Sequence, residues 1–150
     1  MNKSYRYIGP FNMNGLPHGY GYLYTLNEDL KTFEGFFDNG LIQGNSILYE
    51  YIMLSLVAYV KGFIYKEGQY KGKVLHFDSS STLKEIGKMK DDCFDDKTCG
   101  SYSNTGKMVY RGGKKNSARE GFGIEYHSNG QISYIGEFEG DFYKTSEKKK

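Results

Sequence analysis

The chain has 150 residues, with 20 lysines and arginines against 18 aspartates and glutamates, a formal net charge of +2, and only two cysteines. That length suits one domain. The near-balanced charge argues against a dedicated nucleic-acid binder, which needs a basic stripe to displace counterions. Two cysteines are too few for a disulfide scaffold, so Cys93 and Cys99 are expected as free thiols in a reducing compartment. A 17% aromatic content with 20 glycines excludes a disordered chain and a helical bundle. It predicts many short strands joined by tight turns, because aromatics pack on pleated surfaces and glycine supplies positive φ. No signal peptide is expected at the N-terminus. The most apolar stretch, 47–60, contains Glu50 and falls short of the ~20 residues a membrane-spanning helix needs; it is expected to be a buried strand or a partner-facing surface.

In chain order the sequence repeats itself. Glycines beside aromatic or apolar residues recur at Gly9, Gly35, Gly62, Gly87, Gly112 and Gly136, at steps of 26, 27, 25, 25 and 24, a period that marks a stacked repeat architecture. Two further glycines follow at fixed offsets: Gly15 and Gly19, Gly40 and Gly44, Gly68 and Gly72, and then Gly121 alone. In the fourth copy Lys97 stands in the closing place. Five residues beyond that place an aromatic returns every time, as Tyr24, Tyr49, Phe77, Tyr102 and Tyr126, and these five are the predicted core aromatic ladder.

Each copy predicts a β-hairpin. Its first strand sets aromatics on either side of a glycine on one face, as Tyr7-x-Gly9-x-Phe11, Phe33-x-Gly35-x-Phe37 and Tyr134-x-Gly136-x-Phe138. The bare glycine leaves a slot that an aromatic from a neighbouring strand or unit is expected to cover. Turns are predicted at Asn14-Gly15 and Asn39-Gly40 within units, and at Asn104-Thr105-Gly106 and Asn129-Gly130 between them. The returning strand puts Tyr20, Tyr22 and Tyr24 on one face, matched by Phe122, Ile124 and Tyr126. Hairpins of this kind are marginal alone, and stacking buries their aromatic faces. The expected fold is all-β: an elongated, single-layer, twisted solenoid of five to six stacked antiparallel hairpins.

These residues resemble the MORN (membrane occupation and recognition nexus) repeat, with its pattern Tyr-x-Gly-x-Phe/Trp-x-x-Gly-x-x-x-Gly-x-Gly. The run from Phe33 to Gly40 follows it almost position by position, and the run from Tyr134 to Phe138 fits its opening. His18-Gly19-Tyr20-Gly21 and Glu120-Gly121-Phe122-Gly123 look like its closing segment. The resemblance spans residues 5–143, in units near 7–32, 33–58, 59–84, 85–109 and 110–133 with a partial one at 134–143, and leaves a basic tail at 144–150. It departs at 48–60, where a greasy run replaces the polar inter-unit turn, and at 88–100, where only Gly87 survives of the unit's glycines. At both places the pattern leaves regular stacking open, and a unit that failed to stack would let the array bend or meet a partner. The resemblance implies Tyr7, Gly9, Gly19, Phe33, Gly35, Gly44, Gly62, Gly72, Gly87, Gly112, Gly121, Tyr134 and Gly136 as the residues that define the repeat.

Chemistry is sparse beside this pattern. His18 occupies the repeat's own histidine place and is expected to be structural; His76 and His127 lack a second ligand at metal spacing. The acidic run 91–96 lacks the alternating ligands of a calcium loop, so a solvated loop is expected there. The pairs Gly19-x-Gly21 and Gly121-x-Gly123 lead into strands, not into a helix N-terminus that could hold a phosphate. No catalytic residue, metal site or cofactor is expected. Candidate protein-interface residues are Tyr20, Tyr22, Ile52, Leu54, Leu56 and Tyr59, because exposed aromatics offer contact area at small entropic cost. Lys144, Lys148, Lys149 and Lys150, with Lys114, Lys115 and Arg119 nearby in sequence, are candidates for an anionic lipid surface.

The family resemblance implies a non-catalytic structural subunit that docks other proteins in a cytoskeletal assembly of the cytoplasm, above all a cilium or axoneme with radial-spoke-like subunits. Other MORN proteins are further expected partners through open sheet ends. The alternatives are a peripheral membrane module for anionic phospholipids and a regulatory subunit of an enzyme complex. No nucleic-acid partner is expected.

Overall fold

The computed structural model describes residues 4–65, 69–91 and 93–145. Gly68, Lys148, Lys149 and Lys150, named above, and Asp92 of the acidic run lie outside them. Among the described residues there is no helix, and every regular element is a strand: β1 (Tyr5–Ile8), β2 (Gly19–Thr25), β3 (Lys31–Asp38), β4 (Leu41–Ile52), β5 (Ser55–Tyr65), β6 (Gln69–Asp78), β7 (Leu83–Gly87), β8 (Met89–Lys90), β9 (Cys93–Phe94), β10 (Asp96–Tyr102), β11 (Met108–Lys115), β12 (Ala118–Tyr126), β13 (Ile132–Glu139) and β14 (Phe142–Tyr143). The all-β class and the succession of antiparallel hairpins are as the sequence predicts. The chain divides into two compact units, Met1–Ser81 and Thr82–Lys150, the division falling inside the third repeat.

In the first unit β1 to β6 pair in chain order, each antiparallel to the next. Residues paired across strands share a face, so one face carries the row Tyr7, Leu23, Phe33, Leu48, Val60 and the other the row Ile8, Tyr22, Glu34, Ile47, Lys61, Leu75. The first face is the core. Phe33, Phe37 and Ile64 are buried there, with Tyr7, Leu23, Ile42, Leu48 and Tyr70 packed on them. In the second unit β7, β10, β11, β12, β13 and β14 pair in that order, and the buried face holds Cys99, Tyr110 and Phe138.

The repeat glycines work as one device. Gly21, Gly35 and Gly62 pair through Ser46 into one row, and Cys99, Gly112, Gly123 and Gly136 form its counterpart. Rings lie over these rows. Tyr7 covers both Gly9 and Gly21, and Tyr110 covers both Gly112 and Gly123: a Cβ on Gly123 would come within 2.6 Å of the Tyr110 ring. Each ring is anchored at its tip, since Tyr7, Tyr110 and Tyr134 donate their hydroxyls to the carbonyls of Pro10, Gly113 and Glu137, at 2.9, 2.7 and 3.0 Å. Gly21 and Gly123 are covered from the neighbouring strand, as the sequence suggests, whereas for Gly9, Gly112 and Gly136 the ring comes from two residues earlier in the chain. A side chain leaning along its strand reaches that position directly. The third and fourth copies borrow their cover from other strands, Tyr70 over Gly62 and Phe94 with Cys99 over Gly87.

The closing glycines mark bulges. Gly44, Gly72 and Gly121 have φ of +90°, +77° and +76°. Around each, two steps along one strand answer four along its partner, as between Gly35↔Ser46 and Phe37↔Ile42, between Lys61↔Leu75 and Phe63↔Lys71, and between Gly112↔Gly123 and Lys114↔Arg119. Extra residues in a pair need a left-handed position, which glycine takes without Cβ strain. At Lys97 the slip is shorter, from Asp96↔Lys114 to Cys99↔Gly112. The bulge shrinks where its glycine is lost.

Two expectations need correction, those for the aromatic ladder and for the acidic run. The ladder residues Tyr24, Tyr49, Phe77, Tyr102 and Tyr126 are half-buried and do not belong to the fully buried core. In the first unit Tyr49, Tyr59 and Phe77 stand opposite one another on the outer face, their rings 6.0 and 5.0 Å apart. Residues 48–60 do not break the stack: β4 and β5 pair without interruption from Gly44↔Ile64 to Glu50↔Ala58 and on to Ile52↔Ser55 after one bulge. Residues 88–100 do depart, but not as a solvated loop. β8 and β9 form a separate small hairpin that buries Phe94 beside Gly87 and Cys99. Phe94 exchanges two hydrogen bonds with Ser117, both 2.9 Å, which staples this excursion to the β11–β12 turn.

Candidate functional site

Two grooves of the same construction open on the outer faces, one in each unit. In the first unit a groove of about 460 Å³ runs between the bulges of β4 and β6, across Lys61 and Gly62, with Ile47 and Leu75 as apolar wall. In the second a groove of about 610 Å³ runs between the bulges of β10 and β12, across Arg111 and Gly112, with Phe122 and Ile124 as wall. Arg111-Gly112 stands two repeats after Lys61-Gly62, so equivalent places of two copies set a cation beside a bare backbone in the middle strand, flanked by two bulges. A bulge bends its strand away from the ladder, and two bulges facing each other across one strand leave a trough.

The grooves differ in how their cations are held. Lys61 Nζ lies 5.7 and 5.4 Å from the centroids of Tyr59 and Phe77, which stack with an interplanar angle of 12°. Its charge is taken up by the aromatic floor. In the second unit Lys97 and Arg111 are exposed and have no ion-pair or ring partner among the described residues. Glu120 also lines that groove, but its carboxylate accepts the Gly140 N–H at 3.0 Å. Phe122, 61% exposed, leaves a large apolar side chain beside the two cations.

Beside the first groove a polar network fixes the aromatics that the sequence proposes for an interface. Lys31 Nζ binds Glu34 Oε2 at 2.5 Å, Tyr49 donates to the same oxygen at 3.0 Å, and Tyr20 donates to Oε1 at 3.1 Å. Lys31 also lies over the Tyr22 and Tyr49 rings, 5.6 and 4.8 Å from their centroids. Burial alone would raise the Glu34 carboxyl, but the hydrogen bonds from Lys31 and Tyr49 outweigh it and hold it below the usual carboxylate range. The same bond to Glu34 raises the Lys31 ammonium. Tyr20, Tyr22 and Tyr59 thus share one face, half-buried or exposed, with rings already oriented. Leu56 is half-buried opposite Tyr51.

Ile52 and Leu54 are elsewhere, at the β4–β5 turn. Ile52, Met53 and Leu54 are 63%, 93% and 60% exposed. Met53 and Leu54 border a third hollow, about 480 Å³, with Leu30, Tyr51, Glu28 and Glu50 in its wall. Met53 and Leu54 both have positive φ, +48° and +68°. Among the described residues the other two-residue turns of this type are Asn39-Gly40, Asn116-Ser117 and Gly140-Asp141, all residues that tolerate the left-handed region or hydrogen-bond within it.

The basic candidates are mostly engaged. Lys114 is 8% exposed and pairs with Glu85 on the buried face. Arg119 pairs with Glu125 at 2.7 Å and lies 4.7 Å from the Phe138 centroid. Glu125 further accepts from Tyr143 at 2.6 Å and Ser133 at 2.8 Å, and these bonds, Tyr143's first, hold its carboxyl low. Lys144 is 3.7 Å from Glu137. Lys114 and Arg119 are therefore held in ion pairs of the fold itself, Lys114 by Glu85 of another strand and Arg119 by Glu125 within β12 and by Asp141 at the β13–β14 turn. His18 is structural in position: its Nδ1 accepts the Asn39 N–H at 3.5 Å, next to the β3–β4 turn. Among the described residues no three His, Cys, Asp or Glu side chains converge as a metal-ligand set, and no helix is long and apolar enough to cross a membrane. No protein-family model matches the chain, and no curated protein matches it.

Proposed function

We propose that this chain is a non-catalytic scaffold of the MORN-repeat type, which docks other proteins on the outer faces of its hairpin sheets within a cytoskeletal assembly. The observation that carries the docking is the pair of repeat-related grooves, each setting a cation beside exposed backbone and an apolar wall. Such grooves suit extended or looped protein segments, with apolar anchors in the trough and polar contacts at its rim. The preset rings of Tyr20, Tyr22 and Tyr59 add contact area without further ordering cost. The cytoskeletal setting, ciliary or axonemal above all, rests on the resemblance of the repeat pattern.

The test is isolation of the N-terminally tagged protein from its native cells in mild salt, with mass spectrometry of what accompanies it. Axonemal or other cytoskeletal subunits are the expected companions, and they should be lost from a Lys61→Glu, Arg111→Glu double variant. Recovery of the chain alone, or of membranes released by raised salt, would overturn the reading in favour of none or of an anionic lipid surface.

A further inference from the structure

The β4–β5 turn contradicts local preference. Among the described residues four two-residue turns place both central residues at positive φ, and three of them use Asn, Gly, Ser or Asp. The fourth uses Met53 and Leu54, for which the left-handed region is unfavourable, and holds both side chains in solvent. Strain combined with exposed apolar surface in a turn that tertiary packing does not explain points to a binding element.

The chemistry of its surroundings narrows the occupant. Glu50 and Glu28 line the hollow beside the turn, and neither has a hydrogen-bond or ion-pair partner among the described residues. The finger therefore offers an apolar tip with two uncompensated carboxylates. The second unit's groove offers the complement: Lys97 and Arg111 without partners, beside exposed Phe122. The equivalent groove of the first unit does not, because Lys61 is already over Tyr59 and Phe77.

We propose that the chain self-associates: the Ile52–Met53–Leu54 finger of one copy docks in the Lys97–Arg111–Phe122 groove of another, with Glu28 and Glu50 facing the two cations. The apolar tip meets Phe122 and Ile124, and the charge complement fixes orientation and suppresses the wrong partner. This deepens the scaffold reading by naming a second copy as a partner. It is tested on the purified chain alone, so its failure leaves the result from native cells standing.

Sedimentation velocity of the full chain across a concentration series, at low and at raised salt, reads the association. Weight-average mass should rise with concentration and the rise should weaken with salt. The Met53→Asn, Leu54→Gly variant separates turn strain from docking. It should melt about 3 °C or more higher, because the turn now suits its residues, yet associate at least ~10-fold more weakly. Glu28→Lys with Glu50→Lys, and Lys97→Glu with Arg111→Glu, should each weaken association by a similar factor. An equimolar mixture of those two charge-reversed chains should restore it, since each finger then faces a groove of opposite sign. A wild-type chain that stays monomeric throughout, as it would if another protein occupies the finger, overturns the proposal. So does association that ignores the turn variant, or a mixture that fails to restore it.

Discussion

The two units solve the same problem differently. Each is an antiparallel meander with a row of small residues under tyrosine rings, yet the first fills its buried face with Phe33, Phe37, Val60, Ile64 and Val74, whereas the second admits ions. Lys114 with Glu85, and Arg119 with Glu125 and Asp141, sit among Tyr110, Phe138 and Phe94. The second unit also needs the β8–β9 excursion, whose Phe94 lies against Gly87 and Cys99. A single sheet has two faces and little to cover either. The first unit covers its face with its own rings; the second recruits an inserted hairpin and paired charges, which keep their stability only while every partner is present.

Removing a ring tests the first solution most severely. Phe33→Ala empties a site that is 1% exposed and touches the centre of the cluster, and chemical denaturation should show a loss of about 3–5 kcal/mol. A loss below ~1 kcal/mol would mean that this face is not a true core.

The glycine row tests what both units share. A Cβ on Gly112 would lie 2.5 Å from the Gly123 Cα and 2.6 Å from the Phe122 carbonyl oxygen, backbone that cannot step aside. Gly112→Val should therefore cost ~3 kcal/mol or more. Gly121→Ala meets no atom within 4 Å and suffers only its φ of +76°, so a loss of ~1 kcal/mol is expected. Equal melting temperatures for the two variants would remove the close-approach account of the row.

Acid titration draws the smallest contrast. Glu34 in the first unit and Glu125 in the second both have carboxyls held below the ordinary value, so the unfolded chain binds more protons than the folded one through that range. Their stabilisation is complete above the ordinary carboxylate pKa and is lost as pH falls through the depressed folded values. Glu34→Gln and Glu125→Gln should each flatten the acid limb of a stability–pH curve while leaving its neutral plateau lower. A limb as steep as the wild type's in both variants would show that other carboxylates carry it.

Much of the fold was legible because it rests on spacing. The period of the glycines, the hairpin turns at Asn39-Gly40 and Asn129-Gly130, and the alternation that puts Tyr20, Tyr22 and Tyr24 on one face all follow from backbone periods of two and from where glycine is needed. The site was legible only in part. Tyr20, Tyr22 and Tyr59 were named and do share a face, but Lys61 and Arg111, at the centre of the grooves, carry no local signal: one lysine or arginine in a strand resembles any other until two flanking bulges make a trough around it. The layer of the ladder was not legible, because alternation separates two faces without saying which is covered.

By itself, then, the sequence determined the strands, their order and the places where glycine must stand, since these depend on dihedral preference and on contacts a few residues apart. Only the tertiary structure decided which ring covers which glycine, that Cys99 and Ser46 complete the glycine rows, that Lys114 is buried against Glu85 of another strand, and that Met53 and Leu54 are held strained in solvent. Those outcomes depend on pairing between residues distant in the chain, where register, bulges and burial together select one arrangement among many that the local pattern allows.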